Sequence, residues 1–314
     1  MKKLLYTVGL TLCTLPAMAQ ESKTVFNFLR LPVSAHVAAL GGDNITISDD
    51  DASLVFHNPA LLSNVGDRTL GLNMMTYMQG CVTGSAAFVK AAGERGTWAA
   101  AGQFMSYGNM RQTNASGEQT GEFSAKDISL MATFTYQLTS RISGGITAKG
   151  LASYIGSYHS TAMGVDLGLN YYDDEREWSV SAVARNLGGQ LSAYEDDFER
   201  LPLDVQIGVT KRLIGSPLRL SASLVRLNDW ECGIGRHVVV GADLILSQQF
   251  YVAAGYNALR AAEMGIGDDE GSSAHGAGLS IGAGMHLQRL ALHVAYARYH
   301  VSSNSLLINF SYSL

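Results

Sequence analysis

The chain has 314 residues, of which 16 % are charged and 47 % hydrophobic, and its formal net charge is -5. Soluble domains carry about 25 % charged residues, so a chain this poor in charge is expected to bury one face of many segments in lipid. The acidic balance and the absence of Lys/Arg runs beyond the extreme amino terminus argue against nucleic acid as a partner.

The amino-terminal segment, residues 1–19, has the layout of a signal peptide. Lys2 and Lys3 precede an apolar stretch at 4–15, and Ala17-Met18-Ala19 is a small-residue cleavage site, so Gln20 is expected to begin the mature protein. No later stretch reaches the length of about 18 apolar residues that a membrane-spanning helix needs. The protein is therefore predicted to be exported and not to be an inner-membrane helix bundle.

Residues 20–68 lack a period of two and are predicted to form short helices and turns. Asp51 can cap a helix over 52–56, and Asn58 with Pro59 is typical start chemistry for a second helix. Asn58-Pro59-Ala60 is interpreted either as a capped helix start alone, which we favour, or as a helix start that is also a contact between this segment and the wall of a barrel. The Asp49-Asp50-Asp51 cluster either caps a turn, which we favour, or binds Ca²⁺.

Residues 69–314 alternate between apolar and polar side chains almost without interruption, as membrane-spanning strands of about 9–11 residues do. We predict an all-β fold, a transmembrane antiparallel β-barrel of about 14 strands, with 20–68 folded inside as a plug. Glycines inside the strands permit curvature and close packing against that plug. The predicted strands are 69–79, 82–91, 97–107, 126–137, 141–154, 158–172, 176–187, 203–212, 217–227, 236–246, 249–258, 275–287, 290–300 and 305–314.

Long connections are predicted at 108–125, 188–202, 228–235 and 259–274, each after an odd-numbered strand. Bacterial barrels have short periplasmic turns and long outer loops, so both ends of the barrel sequence are expected on the periplasmic side of the outer membrane. Cys81 and Cys232 fall in outer connections of well-separated strands and are expected to be unpaired thiols.

Four basic residues are predicted to face the lumen: Lys149, Arg185, Arg212 and Arg219. They either select an anionic solute or pair with acidic plug residues such as Asp43 and Asp49. The second interpretation is favoured, because a charge inside a large barrel usually has a partner or water.

Local signatures of catalysis and metal binding are missing from the sequence. It has no nucleophile elbow, no P-loop and no dinucleotide-binding glycine motif, and no H-x-H or C-x-x-C spacing. We therefore predict no enzyme activity, no metal site and no cofactor. A Ser/His pair assembled from distant positions is the disfavoured alternative.

The plug segment resembles the amino-terminal region of the PorV/PorQ family, and most closely the PorQ members. The resemblance includes Arg30, Pro32, Asp51 and the triplet Asn58, Pro59 and Ala60. The matching stretches are Arg30-Leu31-Pro32-Val33-Ser34-Ala35, Ala38-Ala39-Leu40-Gly41-Gly42, Asp50-Asp51-Ala52 and Asn58-Pro59-Ala60-Leu61-Leu62.

The PorV/PorQ resemblance implies an outer-membrane component of the type IX secretion system of Bacteroidetes. It implies a non-catalytic anchor for a PorZ-like surface or periplasmic protein, near the sortase complex that attaches cargo to lipopolysaccharide. The family is distantly related to FadL-type channels, which have fourteen strands and a hatch with an Asn-Pro-Ala motif.

Two hypotheses follow: a docking platform for secretion-system proteins, or a FadL-like channel for hydrophobic or small anionic solutes. The partners expected for the platform are outer-membrane lipid, the PorZ-like protein and the sortase complex, with lipopolysaccharide as a further candidate. The outer connections 108–125, 188–202 and 259–274 are the expected contact surface, because binding tends to lie on loops held by a rigid scaffold.

Overall fold

The barrel closes on itself, as a computed structural model of the chain shows. The structure describes residues 24–77, 80–114, 116–229, 233–264, 266–268, 271–273, 276–300 and 303–314. The predicted signal peptide and Cys232 lie outside these residues. Fourteen antiparallel strands form the ring, which confirms the predicted fold, and the first of them pairs with both its successor and the last.

A further pair of strands forms a separate hairpin in one connection. The strands are β1 (Thr69–Thr76), β2 (Val82–Ala92), β3 (Gly96–Thr113), β4 (Gln119–Gln137), β5 (Ile142–Ile155), β6 (Tyr158–Asp173), β7 (Trp178–Ser192), β8 (Asp204–Arg212), β9 (Leu218–Leu224), β10 (Val238–Ile245), β11 (Phe250–Asn257), β12 (Ile266–Asp268), β13 (Gly271–Ser273), β14 (Leu279–His286), β15 (Leu290–His300) and β16 (Ser303–Ser313). The hairpin is β12–β13, so β11 pairs with β14.

The period of two divides the side chains between lipid and lumen. On β4, Leu130 is 67 % and Phe134 47 % exposed, whereas Ser129 and Thr133 are buried. Because successive side chains of a strand point to opposite faces, this alternation leaves the apolar face outside and the polar face inside. The outward apolar side chains have no cover within the described chain, as expected of a wall that faces lipid.

Connections of three to five residues join the strands at the rim that holds Thr69 and Ser313, between β2 and β3, β4 and β5, β6 and β7, β8 and β9, β10 and β11, and β14 and β15. We call this the periplasmic rim and the opposite one the outer rim, since outer loops are the longer ones.

The prediction of a loop over 108–125 is wrong for most of its length. β3 continues to Thr113 and β4 begins at Gln119, so the pair projects from the outer rim as a hairpin. Both faces of this hairpin meet water, so its sequence shows no alternation. The other long connections also contain regular structure: β7 continues to Ser192, and the connections 228–235 and 259–274 include helices α2 (Gly233–Arg236) and α3 (Ala258–Glu263).

The segment before β1 folds as short helices inside the ring. They are α1 (Ala35–Ala39) and three 3₁₀ helices, η1 (Asn27–Arg30), η2 (Ala52–Phe56) and η3 (Pro59–Asn64). Ser34, Asp51 and Asn58 cap α1, η2 and η3 through side-chain oxygens that accept from backbone N–H groups. Among the described residues, no helix is both long and apolar enough to cross a membrane.

Candidate functional site

The plug touches every strand of the ring. Helix α1 packs on β11, β14, β15 and β16, η2 packs on β1 and β2, and η3 packs on β3 to β6. Side chains of the segment between α1 and η2 reach the remaining strands: Asp43 meets Arg185 of β7, Thr46 meets Thr210 of β8, and Asp49 meets Arg219 of β9. His36 bonds to Asp243 of β10. The plug is therefore held around its whole circumference.

Four charged side chains form the strongest link between plug and wall. His36 Nδ1 lies 3.0 Å from Asp49 Oδ2, and His36 Nε2 lies 2.7 Å from Asp243 Oδ1. Arg219 reaches the same two carboxylates, with 2.8 Å to Asp49 and 2.7 Å to Asp243. Two cations thus alternate with two anions. We call these residues the charge cluster.

Electrostatics keeps both plug members of the charge cluster ionised. Burial alone lowers the pKa of His36, but Asp243 and Asp49 outweigh burial and raise the pKa to about 9. Burial alone raises the pKa of Asp49, but Arg219 and His36 hold it well below its usual value. With carboxylates at both ring nitrogens, His36 is the doubly protonated imidazolium.

The other predicted lumen cations have different roles. Arg185 pairs with Asp204 of β8 at 2.6 Å and lies 3.6 Å from Asp43 of the plug. Lys149 joins strands rather than the plug, since its ammonium contacts Asp166 at 2.6 Å and donates to Asn186 at 2.9 Å.

The prediction that Arg212 faces the lumen is wrong, because its side chain does not contact the plug inside the barrel. It lies at the periplasmic end of β8, with its side chain 46 % exposed and 3.8 Å from Glu177. Arg212 falls at every second position along β8, in step with the residues whose side chains point inward, but the strand ends at this residue. Of the two interpretations left open for these cations, pairing with plug carboxylates corresponds to the geometry of Arg185 and Arg219.

Asn58-Pro59-Ala60 is both a helix start and a wall contact. Asn58 Oδ1 accepts from the N–H of Ala60, and its amide donates to the carbonyl of Ile45. Thr135 of β4 and Ser143 of β5 donate to the carbonyls of Pro59 and Ala60. The triplet thus fixes η3 to the wall near the periplasmic rim.

Wall glycines let the plug backbone approach the strands. A Cβ on Gly145 would lie 2.5 Å from the carbonyl carbon of Pro59, and one on Gly168 would lie 2.2 Å from Asn58 Oδ1. At Gly255 it would lie 2.2 Å from the carbonyl carbon of Leu40. Real Cβ contacts are never this short, so each glycine is a position where plug and wall are complementary.

Two plug residues connect its turns to each other. Asp51 accepts from the hydroxyls of Ser34 and Ser53. His57 Nε2 accepts from the backbone N–H groups of Val33 and Ser34, which requires the neutral imidazole. Burial, with smaller effects of Arg185 and Lys149, lowers the pKa of His57 to about 3.

The acidic cluster of the sequence divides among separate partners. Asp49 belongs to the charge cluster, Asp50 accepts from the N–H of Gly66, and Asp51 caps η2. No group of three or more potential metal ligands was found within the described parts of the chain. Cys81, in the outer connection before β2, is a buried free thiol.

A cavity of about 360 Å³ lies above the plug at the outer rim. Its lining combines aromatic, aliphatic and charged side chains, and they come from η1, from the outer ends of β1, β3, β11 and β15, and from α3. Arg30, singled out in the sequence, lies in this lining, and Pro32 is a buried residue of the plug.

Sequence reasoning missed the wall carboxylates and both plug histidines. Asp243 alternates with apolar neighbours on β10 as any lumen residue does, and His36 lies in an otherwise apolar run. Their partners are distant in the chain, with 207 positions between His36 and Asp243, so no local pattern indicates the contact. The available signal was a charged residue at an inward position of a strand.

The plug histidines predict a stability maximum near pH 6.5. The stabilisation by His36 is complete below its unfolded pKa of about 6.5 and is lost as pH rises to about 9. His57 must stay neutral, so its contribution is lost as pH falls from about 6.5 towards about 3. A plot of urea unfolding midpoints against pH measures both losses: an alkaline limb above the maximum, due to His36, and an acid limb below it, due to His57.

Matched variants separate the two limbs. His36→Gln should flatten the alkaline limb and leave the acid one. His57→Gln keeps an acceptor without the titrating ring and should flatten the acid limb. A His36→Gln profile as steep above neutral pH as that of the parent chain would contradict the assignment.

Comparison with solved structures identifies the fold. The chain superposes on the toluene transporter TbuX of Ralstonia pickettii with a TM-score of 0.59 and 13 % identity, over 92 % of this chain and 100 % of that one. It superposes on the toluene transporter TodX of Pseudomonas putida with a TM-score of 0.56 and 14 % identity, over 90 % of this chain and 96 % of that one. It superposes on a FadL homologue of Pseudomonas aeruginosa with a TM-score of 0.52 and 12 % identity, over 90 % of this chain and 98 % of that one.

The protein has the fold of FadL-type outer-membrane channels. No protein-family model matches the chain, and no curated protein matches it either. Identities this low establish architecture alone, because unrelated functions share folds. The FadL-like barrel fold expected from the sequence is confirmed.

Proposed function

We propose that the protein is a plugged outer-membrane barrel that serves a type IX secretion system as a non-catalytic docking platform. The observation that carries the proposal is the plug itself: it contacts all fourteen strands and is tied to the wall by buried ion pairs. A lumen filled in this way presents a rigid outer face rather than an open path.

The burial of the plug supports this proposal. Val37, Ala38, Leu61 and Leu62 have no exposed surface, so no water-sized space adjoins them. The PorV/PorQ resemblance of the same segment supports the class of partner, a PorZ-like surface or periplasmic protein and the sortase complex. The projecting β3–β4 hairpin offers the partner two unpaired strand edges, which are frequent sites of strand addition.

The second candidate is a channel for hydrophobic or small anionic solutes, and it is the one that the structural neighbours favour. Two of them are described as toluene transporters. The mixed apolar and charged cavity above the plug also suits a small amphipathic solute. A channel requires the plug to open a path, which the buried ion pairs resist.

A deletion strain separates the candidates. The platform predicts that cells lacking the protein release their surface proteins unanchored, and that the full-length chain rescues attachment. A chain with residues 109–122 replaced by a short turn should insert normally but rescue poorly. Normal secretion and anchoring in the deletion strain, together with solute uptake by liposomes that hold the purified protein, would replace the platform with the channel.

A further inference from the structure

The outer ends of strands β3 to β6 carry a row of polar side chains. The register places Ser106 beside Lys126, Lys126 beside Tyr154, and Tyr154 beside His159. Tyr154 is the last residue but one of β5, and His159 is the second residue of β6. The row therefore lies at the outer rim, where a barrel wall leaves the hydrocarbon and meets the lipid headgroups.

Lys126 places a positive charge in this row, on the face that points away from the lumen. Ile128 and Leu130 follow it on the same face of β4 and are exposed, whereas Asp127 between them is buried. The ammonium of Lys126 lies 5.4 Å from the centroid of the Tyr154 ring, within the range of a cation–π contact. It makes no ion pair with any described carboxylate, so its charge is open to an anion at the membrane surface.

Below the row, an apolar groove follows β5 into the membrane. Its floor is Ala152, Gly150 and Ala148, three successive outward positions, and a Cβ on Gly150 would meet no atom within 4 Å. Leu130 of β4 and Met163 of β6 flank Gly150 and are 67 % and 58 % exposed, so both stand clear of the floor. We call this the outer groove. From strand geometry, it is about 13 Å long and its flanking strands are about 10 Å apart, which suits an acyl chain.

A groove that faces lipid has two possible occupants, a lipid and a second copy of the chain. Two copies inserted in the same direction would bring Lys126 of each to one two-fold contact, where like charges meet. A lipid of the outer leaflet carries phosphate above its acyl chains, in the same order as Lys126 above the outer groove. Each lysine close to an anionic lipid surface contributes to binding, so charge complementarity favours the lipid.

We propose that the outer groove binds the lipid A part of lipopolysaccharide. One acyl chain packs along β5, and one phosphate contacts the ammonium of Lys126 and accepts from the hydroxyl of Tyr154. Lipid tails are as apolar as the groove, so packing holds the chain and charge fixes the headgroup. The site lies on the outside of the wall and is independent of whether the barrel is a platform or a channel.

Native mass spectrometry of the full-length protein in a maltoside detergent measures the binding. The protein is titrated with diphosphoryl lipid A, with the same lipid A after removal of both phosphates, and with dioleoyl phosphatidylglycerol. We expect diphosphoryl lipid A to bind about fivefold or more tighter than the dephosphorylated form, the factor that one lysine near an anionic lipid contributes. It should also bind tighter than phosphatidylglycerol, whose chains and single phosphate fit less of the site.

Variants test the two parts of the site. Lys126→Gln should weaken diphosphoryl lipid A about fivefold and leave the dephosphorylated form unchanged. Lys90→Gln is the matched control, because it removes an exposed lysine from the periplasmic end of β2. Gly150→Leu fills the outer groove and should weaken both forms of lipid A. Heat-modifiable migration in gels checks that each variant folds.

Four results would overturn the proposal. Lys126→Gln retains the parent affinity, Lys90→Gln weakens lipid A as much as Lys126→Gln does, or phosphatidylglycerol binds as tightly as lipid A. The fourth is a lipid-free dimer of the parent chain that Gly150→Leu separates, which would assign the outer groove to a second copy. None of these depends on secretion phenotypes or on solute uptake, so the site and the proposed function fail separately.

Discussion

Replacing Gly255 by alanine is expected to unseat the plug. The new Cβ would lie 2.2 Å from the carbonyl carbon of Leu40 and 2.3 Å from the nitrogen of Gly41. Both are backbone atoms, so no side-chain rotation relieves the overlap. Gly41 follows the end of α1 with a φ of +104°, in the left-handed region that favours glycine.

The expected loss of stability is about 1–3 kcal/mol or more, the usual cost of overpacking. Trypsin should then cleave the plug of the folded barrel, as followed by mass spectrometry, and the unfolding transition should move to lower urea concentration. Gly150→Ala is the matched control, because a Cβ there meets nothing within 4 Å. Equal trypsin resistance of the two variants would show that the plug is not seated through Gly255.

The wall could be predicted from the sequence because its physics is local. Each strand exposes one face to lipid and one to the lumen, so a period of two marks it, and the predicted strands match those of the ring within a few residues at most ends. The outer part of the β3–β4 hairpin was missed because both of its faces meet water above the outer rim, where Arg111 and Glu122 are exposed. The alternation of apolar and polar side chains therefore disappears there.

The interior of the site depends on contacts between distant positions. The capping roles of Asp51 and Asn58 are local and could be predicted, since side-chain oxygens cap the following turn. The partners of His36 lie on β10 and in the connection before η2, and nothing near His36 in the chain specifies them. Arg212 shows the converse: its parity predicted a lumen position, but the strand ends at that residue.

Removal of Arg219 is expected to have the largest effect in the charge cluster. Arg219 makes ion pairs with Asp49 at 2.8 Å and Asp243 at 2.7 Å, and Asp243 is almost fully buried. Arg219→Gln leaves two carboxylates facing one imidazolium. Breaking a buried ion pair on one side costs about 3–5 kcal/mol, because the remaining charge stays desolvated without compensation.

A double variant identifies charge imbalance as the cause. Asp49→Asn added to Arg219→Gln restores one cation to one anion, so part of the lost stability should return. Arg68→Gln, which removes an exposed pair with Asp67, should change little, because surface ion pairs contribute weakly. Urea midpoints of the three variants and the parent chain form the test. Additive losses in the double variant would mean that the two side chains act independently, and the charge cluster would then not be the link that holds the plug to the wall.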